Sequence, residues 1–399
     1  MINTRMPSAG ATVAPDFRLM MNEKDITADL RPRLLSLTLT DNRGFDADQL
    51  DIELNDADGQ LQMPGRGAVI SVFLGWLGEA LYGKGDFTVD EVEHHGAPDT
   101  LIIRARSADF RGSLNSRREV SYHDTNLNDI VSQIATRNSL TPAVSDELKA
   151  IKIPHIDQTQ ETDAAFITRL AELNGAVAAI KAGRLMLFKP GSGKTVSGKA
   201  IPQMSIERRD GDRHSFTIAD RGAYTGVTAS WLHTKDPKQA NAKTTVQRKP
   251  KARHLRALQH PNTKVRHLRA LQQPSTTAKS VAPKGVKTPE AREGEYMAGS
   301  SDNVLALTTV YATKAAAMRA ATAKWEKLQR GVAEFSLTLA MGRADLYPET
   351  PVAVKGFKSV IDAQPWIINK VTHNLSNSGY TTTLNLEVLL SNVNFETDK

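Results

Sequence analysis

The chain has 399 residues, a mass of 43.6 kDa and a formal net charge of +7 at neutral pH. One hydrophobic core rarely serves a chain of this length, so we expect roughly two to four compact units. Cysteine is absent, which excludes disulfides, thiolate metal sites and cysteine nucleophiles. No run reaches the roughly 18 apolar residues of a membrane span, and residues 1–10 lack the apolar centre of a secretory signal. We therefore expect assembly in a cytoplasm.

The positive charge is concentrated in one segment. Residues 234–294 contain 15 Lys or Arg and 3 Asp or Glu, so this segment carries +12 and the remainder carries −5. A general affinity of the whole surface for nucleic acid is therefore not indicated. The segment is rich in Lys, Thr, Ala and Pro, a composition typical of flexible chain, and we assign a basic low-complexity insertion to residues 236–299.

Residues 1–112 show the pattern of a β domain. Leu35, Leu37 and Leu39 alternate with small polar residues, and residues 69–74 form a short apolar run. Alternation with period two, interrupted by Gly and Pro, is typical of short antiparallel strands. We predict one barrel-like domain here.

The period then changes to that of helices over residues 113–200. Apolar residues predict one helix face at 127–135, which Thr125 or Asn126 could cap, and Thr162 and Asp163 mark the start of a second helix that ends near Gly175. A hairpin follows on either side of residues 181–184. This order predicts a small α/β domain.

Strand patterns return after residue 200, stop at the basic insertion and resume after it. Residues 201–235 and 300–399 are therefore predicted to form a second, discontinuous barrel, with one helix over residues 315–328 that ends at Gly331. The fold class expected is mainly β with an α+β insert: two β-barrel domains, a small α/β domain and a basic insertion.

The last third of the chain carries a recognisable series of motifs. It contains a Gly followed by a Pro-bearing turn, a V-x-V-x-G strand, a Trp-led strand with V-x-H-x-L and a hairpin with Gly-Tyr: Gly342, Pro348, Val352, Val354, Gly356, Trp366, Val371, His373, Leu375, Gly379 and Tyr380. This series resembles the phage late control protein D family, the tail hub of contractile phages, which is related to the N-terminal part of type VI secretion spikes.

The resemblance implies a structural role without catalytic residues, metal or cofactor. It implies a homotrimer in the baseplate of a virion tail, in which two tube-like barrels per chain adapt a sixfold tail tube to a threefold spike. The implied partners are the tail tube protein, the trimeric spike, the tape measure protein and other baseplate proteins, with DNA passing through the lumen. Assembly would take place in the cytoplasm of the host bacterium. His373, in the V-x-H-x-L strand, is expected to be packed or interfacial.

Several short motifs invite a binding or catalytic interpretation. Residues 189–195, KPGSGKT, resemble a phosphate loop, but Phe188 stands where that motif needs Gly. Asp56, Asp58 and Gly59 resemble part of a calcium loop that lacks its first and last carboxylates. His94 and His95 are neighbours on a strand and so point to opposite faces. We expect solvated turns and strand residues at these places.

Two alternatives to a purely structural role stay open. The acidic residues Asp46, Asp48, Asp51 and Glu53 could supply carboxylates for peptidoglycan hydrolysis by a spike or hub. A heptapeptide, RHLRALQ, occurs at residues 253–259 and again at 266–272, and its Arg253, Arg256, Arg266 and Arg269 are candidate polyanion contacts for a DNA-binding function. The opposing interpretation of the repeat is a solvated outer loop.

Overall fold

A computed structural model of the chain describes residues 14–107, 113–218, 224, 226–231, 242–247 and 303–389. This part of the chain is predominantly β, as predicted, and buries its apolar side chains in four clusters. Two clusters lie within β units, one in the central α/β unit and one beneath a single long helix.

The first β unit covers residues 14–107 and is antiparallel throughout. Its elements are β1 (Pro15–Met21), β2 (Lys24–Asp25), α1 (Thr27–Leu30), β3 (Leu34–Asn42), β4 (Gln49–Asn55), β5 (Val69–Trp76), β6 (Tyr82–His95) and β7 (Thr100–Arg106). Alternate side chains point inward, so Leu37, Leu39, Leu50 and Ile52 are almost fully buried. The hydrogen-bonded order is β3-β4-β7-β6-β5-β1-β2.

The central α/β unit covers residues 113–188. Its elements are β8 (Arg117–Asn126), α2 (Leu127–Arg137), β9 (Thr141–Val144), α3 (Asp146–Lys149), β10 (Lys152–Thr162), α4 (Asp163–Leu173), β11 (Val177–Lys181) and β12 (Arg184–Phe188). Asn126 and Thr162 cap α2 and α4 by accepting hydrogen bonds from backbone N–H groups. Gly175 adopts a positive φ of 67° just after α4, as expected for a helix end. The predicted order of two helices and a hairpin is confirmed.

The described residues from 204 onward form a second β unit and a side sheet. The elements are β13 (Met204–Glu207), β14 (Gly211–Ile218), β15 (Gly226–Trp231), β16 (Ala242–Gln247), β17 (Val304–Tyr311), α5 (Lys314–Arg330), β18 (Ala333–Leu339), β19 (Pro351–Lys355), α6 (Ser359–Asp362), β20 (Trp366–Ser376) and β21 (Gly379–Val388). The second β unit consists of β13, β14 and β18–β21 with α6.

The side sheet departs from the single barrel expected for residues 201–235 and 300–399. Strand β15 pairs antiparallel with β16 and parallel with β17, and α5 covers this sheet through Ala321 and Trp325. The described strands of these two segments therefore divide between two sheets. Strand β16 also lies inside residues 236–299, so six residues of the segment for which we expect a flexible insertion form a regular strand.

The two β units repeat one topology. The order β3-β4-β7-β6-β5-β1 in the first unit corresponds to β14-β18-β21-β20-β19-β13 in the second. Each neighbouring pair is antiparallel in both units, except that β13 runs parallel to β19 whereas β1 runs antiparallel to β5. The chain thus contains a structural repeat that its sequence does not display.

The repeat extends to the positions of the β-bulges. A bulge interrupts β3 between Leu34 and Ser36, and one interrupts β14 between Gly211 and Arg213. A second pair of bulges lies between Val89 and Glu91 in β6 and between Ile368 and Lys370 in β20. Because a bulge changes the register of a strand by one residue, matching bulges align the two units residue by residue.

The two units join into one sheet. Strand β20 pairs antiparallel with β3 over seven residues, from Lys370 opposite Asn42 to Ser376 opposite Ser36. Among the described strands, the pairings run through both units as one 13-stranded sheet, and they do not close either unit into a separate barrel.

Candidate functional site

The contact between the two β units, built around the β3·β20 pairing, is reinforced by buried charges. Arg43 follows β3 and forms ion pairs with Glu349 and Glu387, and it donates a hydrogen bond to the carbonyl oxygen of Ile368 at 3.3 Å. Arg330, at the end of α5, lies 3.5 Å from Glu387. Burial raises the pKa of Glu349 and lowers that of Arg330. Two guanidinium groups thus balance two carboxylates at this contact.

A second group of buried charges joins the central α/β unit to the first β unit. Lys181, at the end of β11, forms ion pairs with Asp41 and Asp48, the latter at 3.1 Å. Burial, together with the charge of Asp41, raises the pKa of Asp48 to about 6. Burial opposes the charged form of Lys181, but the two carboxylates raise its pKa. The side chain of Asp48 also accepts a hydrogen bond from the N–H of Asn42 at 2.8 Å.

Lys84 connects β6 to the loop that follows β18. Its amino group donates to the carbonyl oxygens of Ala344 and Leu346, each at 3.0 Å, and lies 3.8 Å from the ring centre of Tyr347. Burial lowers the pKa of Lys84 to about 8. The ammonium group therefore holds a loop of the second unit against a strand of the first.

His373 is a packed strand residue, as expected from its motif. It is fully buried, and its Nδ1 lies 3.0 Å from the hydroxyl oxygens of both Tyr380 and Thr382. Burial lowers the pKa of His373 well below its ordinary value, so the ring is neutral in the folded protein. Its immediate partners are hydroxyl groups of β21, which gives it a role in packing.

Three of the four acidic residues of the hydrolase alternative have structural partners. Asp48 is buried against Lys181, Asp51 lies 3.8 Å from Arg104, and Glu53 accepts a hydrogen bond from Ser36 at 3.0 Å. Asp46 lines a surface groove of about 850 Å³ between the β3–β4 loop and α4. This arrangement gives no geometric support to glycoside hydrolysis.

The residues that resemble a calcium loop form a turn. Arg33 donates two hydrogen bonds to Asp58, at 2.7 and 2.6 Å, and lowers the pKa of that carboxyl to about 2. Asp56 accepts a hydrogen bond from the N–H of Leu61. Within the residues that the structure describes, no group of three or more His, Asp or Glu side chains is arranged to hold a metal ion.

The segment that resembles a phosphate loop is a turn between units. It leads to the strand β13 and not to a helix, so backbone amides are not gathered at a helix start. Instead, the N–H of Gly191 donates to Glu349 at 2.7 Å, which attaches this turn to the ion pairs of Arg43.

The four candidate polyanion contacts, Arg253, Arg256, Arg266 and Arg269, lie outside the described residues. The charged contacts made by Arg43, Lys181 and Glu349 were not predicted. The only sequence signal for them is a charged residue directly beside an apolar strand, which is too common to indicate a partner. Among the helices that the structure describes, none combines the length and the hydropathy that a membrane span requires.

Comparison with known proteins decides the family. The model of the family described as phage tail baseplate hub (GPD) matches residues 32–379, which is most of the chain. The chain belongs to this baseplate hub family. Two curated relatives carry the name "Probable baseplate hub protein": that of Escherichia phage 186 is 63% identical over 100% of this chain and 99% of its own length, and that of Escherichia phage P2 is 63% identical over 98% and 97%.

Solved structures show the same fold at low sequence identity. The 43 kDa tail protein of prophage MuSo2 from Shewanella oneidensis has a TM-score of 0.60 and 12% identity, with 93% of this chain and 97% of that chain covered. A tail protein of Neisseria meningitidis MC58 has a TM-score of 0.60 and 13% identity, with coverage of 94% and 96%. The family model and the curated relatives confirm the resemblance seen in the C-terminal motifs, and the hub is a structural component of a phage tail baseplate.

Proposed function

We propose that three copies of this hub form a ring that adapts a sixfold tail tube to a threefold spike. The repeated topology of the two β units, with bulges at matching positions, is the observation that supports this function. A ring of three chains offers six nearly equivalent units to the tube on one side, and it keeps true threefold symmetry for the spike on the other.

The strand edges that are left open among the described residues support the same proposal. Long unpaired strand edges favour aggregation unless another chain covers them. In a ring, each edge would be covered by the next copy, and the enclosed lumen would surround the tape measure protein and the passing DNA. The partners proposed are therefore a second and third copy, the tube protein, the spike, the tape measure and neighbouring baseplate proteins.

The basic insertion has a separate proposed role within this assembly. The charge of +12 over residues 234–294 is the observation that favours contact with a polyanion, either DNA in the lumen or an acidic tail component. Arg253, Arg256, Arg266 and Arg269 are the proposed contacts. The domain boundaries given above, at residues 112, 200, 235 and 300, are part of this proposal.

Mass photometry of the purified full chain tests the trimer. We expect a species with three times the 43.6 kDa mass of the chain at micromolar concentration, alone or after addition of the tube and spike proteins. A chain that stays monomeric in all these mixtures, and that binds neither the tube nor the spike protein, would contradict the proposed function.

A further inference from the structure

The β3·β20 pairing within one chain has two counterpart strand edges, one on β14 and one on β6, that are open among the described strands. By the shared topology, β14 corresponds to β3, and β6 corresponds to β20. In the described part of the protein, β14 pairs with β18 alone, so the edge that corresponds to the paired edge of β3 has no partner strand.

The distal half of β6 is open in the same way. Its pairing with β5 ends at Thr88, and the last backbone bonds on that side join Val89 to Gly67 and Ala68, at 2.7 and 2.8 Å. Residues 91–95 continue to pair with β7 on the other side. In β20, the corresponding residues after the bulge are those that pair with β3.

We propose that β14 of one chain pairs antiparallel with residues 91–95 of β6 in a second copy of this chain. This inference rests on the proposed trimeric ring and adds the surfaces through which the copies meet. The contact would repeat, between chains, the pairing that β3 and β20 make within one chain.

The matching bulges fix the register of the proposed contact. After the bulges, Val92 corresponds to Val371, and Ile218 corresponds to Asp41, which is the partner of Val371. Val92 should therefore lie opposite Ile218 of the next copy. The pairs that follow are Glu93 with Thr217, His94 with Phe216, and His95 with Ser215.

The exposure of Ile218 supports a protein partner at this edge. It is a large apolar residue at the end of an open edge strand, and 44% of its surface is exposed. A β-branched apolar side chain in such a place favours pairing with another strand. The predicted opposite residue, Val92, is half-buried against the core of the first unit and could cover it.

The contact is compatible with the proposed ring of three copies. Among the described strands, each chain has one free β14 edge and one free distal β6 edge, so the contact is head-to-tail. If the contact between chains has the geometry of the contact within a chain, the same rotation relates each β unit to the next. In a trimer, three β3·β20 pairings within chains would then alternate with three β14·β6 pairings between chains around a single axis.

Engineered cysteines test the register directly, since the natural chain contains none. Directly opposite residues in antiparallel strands have Cβ atoms about 5 Å apart, close enough for a disulfide to form with small adjustments. In the double variant Glu93→Cys/Thr217→Cys, mild oxidation should give covalent trimers on a non-reducing gel. The control Glu93→Cys/Arg213→Cys shifts one cysteine by four residues, about 13 Å along the strand, and should give no crosslink.

The outcomes separate this contact from the trimer itself. If mass photometry shows a trimer, but the first double variant does not crosslink or both variants crosslink equally, the contact is wrong and the trimeric hub stands. If the chain stays monomeric with its partners present, the trimeric hub fails and the contact fails with it. Crosslinked trimers from the first variant alone support the proposal.

A matched pair of surface substitutions provides a second test. Ile218→Asp places a charge in the proposed contact, whereas Val310→Asp places one on a residue of β17 that is equally exposed, at 46%. Both residues are exposed in the single chain, so both variants should fold. We expect Ile218→Asp to weaken trimer formation about tenfold or more, and Val310→Asp to leave it unchanged. Equal effects of the two substitutions would overturn the proposal.

Discussion

Gly342 lies directly against the ring of Tyr380. A Cβ atom at Gly342 would be 2.5 Å from Cδ1 of that ring, and the N–H of Gly342 donates to the carbonyl oxygen of Tyr380 at 2.8 Å. The carbonyl oxygen of Gly342 accepts a hydrogen bond from the indole N–H of Trp76, in the first β unit. One glycine thus allows the turn after β18 to pack on both units.

Gly342→Ala should destabilise the hub by about 1 to 3 kcal/mol, because the new methyl group overlaps a buried ring that has no room to move. The free energy of unfolding, from a urea titration followed by tryptophan fluorescence, measures this effect. Gly65→Ala is the control, since its Cβ would meet no atom within 4 Å. Similar losses for both substitutions would contradict the packing seen at Tyr380.

Arg43→Met should lower the free energy of unfolding by about 3 kcal/mol or more, because it leaves Glu349 and Glu387 buried with only part of their compensating charge. The same urea titration measures this loss in the free energy of unfolding. Arg31→Met is the comparison, because its ion pair with Asp16 is largely exposed and should contribute less than about 1 kcal/mol. A loss at Arg43 no larger than that at Arg31 would show that the buried pairs do not stabilise the contact between the units.

Asp48 should make stability depend on pH in a defined window. Its pKa is about 6 in the folded protein and 3.8 ordinarily, so between about pH 4 and 6 the folded state binds more protons than the unfolded state. The contribution of Asp48 to stability therefore falls as pH rises through this window. Asp48→Asn should gain stability relative to the natural chain by up to about 3 kcal/mol from pH 4 to pH 7.

Asp58 provides the opposite case for the same measurement. Arg33 lowers the pKa of Asp58 to about 2, so its contribution is present at neutral pH and is lost as pH falls from about 4 towards 2. The thermal unfolding temperatures of Asp48→Asn and Asp58→Asn, each compared with that of the natural chain from pH 2 to pH 7, should change in opposite directions as the pH rises. A difference between Asp48→Asn and the natural chain that is constant from pH 4 to pH 7 would contradict the burial of the Asp48 carboxylate.

Replacing all four candidate arginines by alanine should weaken retention of DNA and reduce its salt dependence. Four lost phosphate contacts would reduce the slope of log affinity against log salt by about 3 to 4. Filter binding at several salt concentrations measures the slope. The control replaces four exposed basic residues of the described fold: Lys24, Arg66, Lys149 and Lys355. An equal reduction in the control would show that DNA contacts the surface nonspecifically.

The helices and their ends were predictable because local physics determines them. The apolar period identified α2 and α4, and Asn126 and Thr162 accept the capping hydrogen bonds that their position suggested. The helix predicted over residues 315–328 is α5, Lys314–Arg330, and Gly331 follows it as expected. Such signals involve residues within one or two turns of each other, so they are visible in a sequence.

The mainly β character of the chain and its similarity to tail hubs could be predicted from the sequence alone, because alternation, capping and short motifs are local. It could not show that β3 pairs with β20, that Arg43 meets Glu387 far along the chain, or that two units with different sequences share bulges and strand order. Those facts depend on how distant strands align. Strand register is fixed by packing and backbone pairing across the whole sheet, and only the tertiary structure brings those groups together.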